Sequence, residues 1–95
     1  MIHYVAIVEE ELDKAVGIWF PDLPGCFSAG DTLDEALLNA REALQLYAEA
    51  RGPAAMPRAR TLTQLKDDPE VAPDLSAYMV ALVPFEPNAV RPAAE

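Results

Sequence analysis

Residues 33–51 carry the pattern that most limits what this chain can fold into: a long run with no proline or glycine and apolar side chains at helical spacing. Leu33, Ala36, Leu37, Ala40, Ala43, Leu44, Leu46 and Tyr47 recur with the 3.6-residue period and form one broad apolar face. Asn39, Arg41, Glu42, Gln45 and Glu49 fall mostly on the other side. Thr32 stands three residues before Glu35, the spacing of a capping box. In that arrangement the hydroxyl accepts from one orphan N–H and the carboxylate reaches back to another. Asp31, Asp34 and Glu35 add negative charge at the positive end of the helix dipole, and Gly52-Pro53 closes the run. The sequence predicts a helix of about five turns over residues 33–51.

An amphipathic helix this long needs an apolar layer to cover, and the flanking segments supply a sheet. Residues 2–8 and 15–20 are rich in β-branched and aromatic side chains, separated by the acidic turn of Glu9, Glu10, Glu11 and Asp13, and so predict a hairpin. Pro21-Asp22-Leu23-Pro24-Gly25 cannot continue a ladder, because proline lacks an N–H and glycine favours the bend. Residues 26–29 form a short third strand before Gly30. Beyond the helix, residues 61–66 suggest a short second helix stopped at Asp67-Asp68-Pro69. Residues 76–85 suggest a last strand, apolar on both faces and therefore expected in the sheet interior. The fold class expected is α+β, with one long helix laid across an antiparallel, hairpin-based sheet. At 95 residues there is room for one core. Residues 1–87 are read as a single domain and 88–95 as a flexible tail.

The formal net charge is −9, and it is unevenly placed. Residues 1–51 carry three basic and ten acidic groups, and residues 52–95 carry four and six, leaving −7 and −2. Such a surface repels phosphate backbones, so direct nucleic-acid binding is disfavoured, whereas a basic protein is attracted and steered. The same charge also keeps a small protein soluble. With Cys26 as the only cysteine and His3 as the only histidine, neither an internal disulfide nor a metal site of nitrogen and sulfur ligands is expected. No signal-peptide pattern and no apolar run of membrane-spanning length is visible, which predicts a cytoplasmic protein.

The placement of the carboxylates argues against catalysis. A metal-dependent nuclease needs carboxylates converging from strands and a helix start. Here they lie in turns (Glu9, Glu10, Glu11, Asp13), at the helix cap (Asp31, Asp34, Glu35) and in a loop (Asp67, Asp68, Glu70). Cys26 has no orienting base beside it, and the four glycines match no phosphate-binding fingerprint. No catalytic residue, cofactor or metal is expected.

Phe20-Pro21-Asp22-Leu23-Pro24-Gly25-Cys26, followed by Gly30-Asp31-Thr32-Leu33-Asp34-Glu35-Ala36, resembles the signature of the HicB-like antitoxin superfamily. Asn39, Ala40, Ala43-Leu44 and Met56-Pro57 fit the same pattern, which covers roughly residues 1–85. The resemblance implies a partial RNase H-like βββαβ unit without catalytic carboxylates. It also implies a type II toxin–antitoxin role, binding and masking a HicA-like toxin, a small basic mRNA interferase. Many members continue into a DNA-binding domain, for which no candidate element is expected in residues 84–95. The alternative is a stand-alone homo-oligomeric adaptor of the same fold, a dimer or tetramer joined through a sheet edge or helix surface. Partner contact is expected at Glu9, Glu10, Glu11 and Asp13 and at Pro21, Asp22, Leu23, Pro24 and Gly25.

Overall fold

A computed structural model describes residues 2–89. Four strands, β1 (Ile2–Glu9), β2 (Val16–Trp19), β3 (Phe27–Gly30) and β4 (Met79–Phe85), form one antiparallel sheet in the order β3-β2-β1-β4. The long helix α1 spans Leu33–Arg51, the residues expected from the periodicity. Two short helices, α2 (Leu62–Lys66) and α3 (Ala72–Ala77), lie in the connection to β4. The architecture is the expected α+β layer. Of the anticipated tail, residues 88 and 89 complete a 3-10 turn, Pro87–Ala89, and residues 90–95 lie outside the described residues.

Alternation along β1 divides the core in two. Tyr4, Ala6 and Val8 point to α1 and join Val16, Ile18, Phe20, Leu23, Val83 and Phe85 in one buried cluster. From the helix this cluster takes Ala36, Ala40, Leu44 and Ala48, one residue per turn. Three of those four are alanines, so the helix backbone can approach the sheet closely. Val5 and Ile7 point to the opposite face and are also buried. That face is partly covered by the chain leaving α3, where the Tyr78 ring meets Trp19 edge-on at 5.3 Å. Each large side chain buried in this way contributes about 1.5–3 kcal/mol.

Two expectations need correction. Residues 76 and 77 end α3 instead of opening a strand, because Pro73 sits in the first turn of that helix, where its fixed φ and missing N–H are tolerated. β4 is also an edge strand, not an interior one. The strand buried on both faces is β1, whereas Leu82 of β4 is 60% exposed and Met79 44% exposed. The capping chemistry differs in detail too. At α1 Thr32 accepts from the Glu35 N–H at 3.1 Å, while the full reciprocal box forms at α2, between Thr61 and Gln64.

Candidate partner-binding surface

Two segments carry the expected contact residues, and the fold places them at opposite ends of β2. The β1–β2 turn holds Glu10, Glu11 and Asp13 exposed and Glu9 half-buried. Asp13 adopts a positive φ of 61°, which tightens the turn, and Lys14 pairs with Glu11 at 2.9 Å. Pairing of Val16 with Gly30 brings this turn beside the start of α1, and an open depression is lined by both. Asp31, Asp34 and Glu35 are exposed at that same end. Glu10, Glu11, Asp13 and Asp31 therefore line the depression with one lysine, Lys14, and make this end of the molecule acidic.

At the other end, residues 20–26 are anchored on every side. Phe20 and Leu23 are buried, and successive turns close through Leu23 N–H to Phe20 O (3.1 Å) and Cys26 N–H to Leu23 O (3.0 Å). Gly25 takes φ +83°, a conformation that side chains rarely adopt. Pro24 O accepts from the Tyr47 hydroxyl at 3.0 Å. The Asp22 carboxylate accepts from the Arg60 backbone N–H at 2.8 Å and from Arg60 Nε at 2.7 Å. Arg60 Nη1 then donates to Asp68 at 3.0 Å. One carboxylate thus ties the strand exit to the connector that follows α1.

The second half of the motif is equally structural. An added Cβ at Gly30 would lie 2.5 Å from the Ala36 backbone nitrogen, so the first turn of α1 passes directly over a position that only glycine fits. Ser28 Oγ donates to Ala36 O at 3.1 Å, and Asn39 Nδ2 donates to Ala29 O at 2.8 Å. These bonds stitch β3 to the helix.

The family model described as the HicB-like antitoxin of bacterial toxin–antitoxin systems matches residues 4–95. The chain belongs to the HicB-like antitoxin family. Its fold is similar to the antitoxin HicB of Burkholderia pseudomallei, with TM-score 0.71 and 28% identity over 90% of this chain and 64% of that one. The N-terminal domain of the same antitoxin is matched over 99% of its length at TM-score 0.70 and 27% identity. A chain of a HicA3–HicB3 toxin–antitoxin complex is matched over its whole length, with TM-score 0.67 and 25% identity over 90% of this chain. An uncharacterised 14.9 kDa protein of Haemophilus phage HP1 is 40% identical over 63 residues, 64% of this chain and 47% of that protein. A UPF0150 protein of Synechocystis is 44% identical over 48 residues, half of this chain and 61% of its own length. This HicB-like chain thus spans about half to two thirds of those two relatives.

Within the family fold, the expected contact residues differ sharply in availability. Glu10, Glu11, Asp13, Pro24 and Gly25 are exposed; Glu9 and Pro21 are half-buried. Leu23 is fully buried, and the Asp22 side chain is only 7% exposed and held by Arg60. Their chemistry serves the fold. Burial pushes the Cys26 thiol up to about 11, so it stays protonated and a poor nucleophile near neutral pH. Asp68 is held below its ordinary range, first by the Glu70 backbone N–H and then by Arg60. Among the described residues no group of three or more histidine, cysteine or carboxylate side chains is placed to hold a metal. No helix among them is long and apolar enough to cross a membrane.

The exposure of Phe27 is not announced by any pattern in the sequence. The residue lies opposite Trp19 on the sheet face away from α1 and is 72% exposed. The only signal available was its place at the start of a short strand beside a proline-rich turn.

Proposed function

We propose that this HicB-like chain is the antitoxin of a type II toxin–antitoxin system, binding and masking a HicA-like mRNA interferase. The observation that carries the reading is the acidic end: Glu10, Glu11, Asp13, Asp31, Asp34 and Glu35 exposed together in a chain whose family model describes antitoxins. A ribonuclease that binds RNA through basic side chains presents the charge this end attracts. Covering that surface with carboxylates excludes phosphate from it. The likeness to a chain of a HicA3–HicB3 complex supports the same partner class. The contact assigned is the β1–β2 turn with the start of α1, because in the rival segment Leu23 is committed to the core and Asp22 to Arg60.

Co-expression with a HicA-like toxin tests the proposal. Wild-type chain is expected to restore growth and to co-purify with that protein at low salt. The triple variant Glu10→Lys, Glu11→Lys and Asp13→Lys should associate about ten-fold or more slowly at low ionic strength, with the difference shrinking as salt rises. Unchanged association by the triple variant would place the contact elsewhere. Absence of any complex would remove the antitoxin reading.

A further inference from the structure

We infer, building on the antitoxin reading, that the sheet face between Glu9 and Phe27 is the seat for an arginine side chain of the basic partner. Its guanidinium would lie on the Phe27 and Trp19 rings and pair with the Glu9 carboxylate. Gly17 is the residue that the fold itself does not explain. A glycine inside a strand weakens it, and occurs there where a bulge, a bend or the close approach of another group requires one. Gly17 lies within the regular β1–β2 and β2–β3 registers, opposite Glu9 and Ala29, and its φ lies outside the left-handed range. An added Cβ would meet no atom within 4 Å. Nothing in the fold uses the missing side chain, so the space above Gly17 is open to a group from outside the chain.

The register draws walls around that space. Alternation puts Glu9, Gly17, Trp19, Phe27 and Ala29 on the sheet face away from α1. Glu9, Gly17 and Ala29 form one cross-strand row, and Trp19 and Phe27 stand beside it in the next. Gly17 and the exposed Ala29 are therefore a low floor between a carboxylate and two aromatic rings. Trp19 is held edge-on by Tyr78 at 5.3 Å, whereas Phe27 is 72% exposed. Towards the β1–β2 turn the floor opens into a depression of about 270 Å³ lined by Glu9, Glu11, Lys14, Ala15 and Gly17. Glu11 is taken by Lys14 at 2.9 Å, and among the described residues the Glu9 carboxylate has no hydrogen-bond or ion-pair partner. One uncompensated negative charge is left beside the open floor.

Arginine is the side chain that satisfies all of these surfaces. Its planar guanidinium stacks on aromatic faces, sheds water more readily than an ammonium, and can bond a carboxylate through two parallel N–H groups. Diagonal neighbours on adjacent strands lie about 7–8 Å apart, so a guanidinium over the Trp19–Phe27 row stays in reach of Glu9. Its methylene stem needs the low floor that Gly17 and Ala29 leave. Lysine, a compact and strongly hydrated charge, would pair with Glu9 but gain less from the rings. A second copy of this chain, of net charge −9, brings further negative charge to Glu9. A nucleic-acid base could stack on the rings, but its phosphates would be repelled by the same carboxylate. The seat adjoins the acidic depression and shares Glu11, Lys14 and Ala15 with it, so one basic surface can engage both.

Trp19 is the only tryptophan, so its emission reports on the seat directly. Hexa-arginine and hexa-lysine peptides carry equal charge, and the arginine peptide is expected to change Trp19 emission at a concentration about five-fold or more lower. Gly17→Leu, which fills the floor, and Phe27→Ser should abolish that preference while unfolding near the wild-type temperature. From a HicA-like ribonuclease both variants should dissociate about ten-fold or more faster, and Glu9→Gln about three- to five-fold faster, with little change in association. The acidic-turn variants act instead on association at low salt. A ribonuclease complex that forms with the wild-type chain, and dissociates from Gly17→Leu and Phe27→Ser at the wild-type rate, would overturn the seat and leave the antitoxin reading standing. Equal responses to the two peptides would overturn the choice of arginine. If the wild-type chain forms no complex, the antitoxin reading falls and the peptides alone decide whether the seat takes arginine.

Discussion

Replacing Asp22 by alanine is expected to lower stability by about 2–4 kcal/mol, the largest loss from any single polar side chain in this fold. The carboxylate is 7% exposed and accepts both the backbone N–H and Nε of Arg60. Its removal leaves a guanidinium and a backbone donor without their acceptor. Arg60 is 36% exposed, so water recovers part of the loss, which holds the estimate below the full cost of breaking a buried pair. For a domain of this size that corresponds to a fall in Tm of about 10–20 °C. Asp22→Asn keeps an acceptor and should lose less. Arg60→Ala removes the charge but keeps the backbone N–H, and should fall between them. Thermal unfolding of these variants and of the double variant Asp22→Ala, Arg60→Ala checks the assignment. If both single losses add in the double variant, Asp22 and Arg60 do not act as a pair.

The second large effect is expected at Gly30. Gly30→Ala should cost about 2–3 kcal/mol, because its new Cβ would lie 2.5 Å from Ala36 N and 2.9 Å from the Glu35 carbonyl carbon. Both are backbone atoms of the first turn of α1. They cannot rotate aside, so the helix must lift from β3 and strain the bonds from Ser28 and Asn39. Gly17→Ala is the internal control. No atom lies within 4 Å of its added Cβ, and its φ lies outside the left-handed range, so the substitution should be neutral or slightly stabilising. Chemical denaturation distinguishes the two positions. Equal losses would mean that glycine is needed at Gly30 for some reason other than its closeness to α1.

These two residues also show what the sequence could and could not reveal. The helix was legible because its periodicity, cap and stop all lie within one continuous stretch and point the same way. The rigid exit after β2 was equally visible, since Pro21, Pro24 and Gly25 act through their own backbones. Asp22 looked like a surface acid because Arg60, its partner, is 38 residues away, and no local pattern joins them. Leu23 looked available for contact because the turn geometry that drives it into the core depends on α1 being in place above it. Edge and interior strands look alike in the sequence for a related reason. β4 is as apolar as an interior strand, and nothing in its composition says that only β1 lies beside it. The acidic turn is legible from its own residues, but its neighbourhood with Asp31 requires the pairing of β2 with β3.

Direct titration of RNA cleavage tests the central claim most plainly. A HicA-like ribonuclease would be assayed on an unstructured RNA with increasing amounts of the purified HicB-like chain, at low and at high salt. Cleavage is expected to fall to zero as the chain reaches stoichiometric amounts, inhibition to weaken as salt rises, and the variant Glu10→Lys, Glu11→Lys, Asp13→Lys to inhibit poorly while remaining folded. Cleavage that continues undiminished in excess of the chain would contradict it.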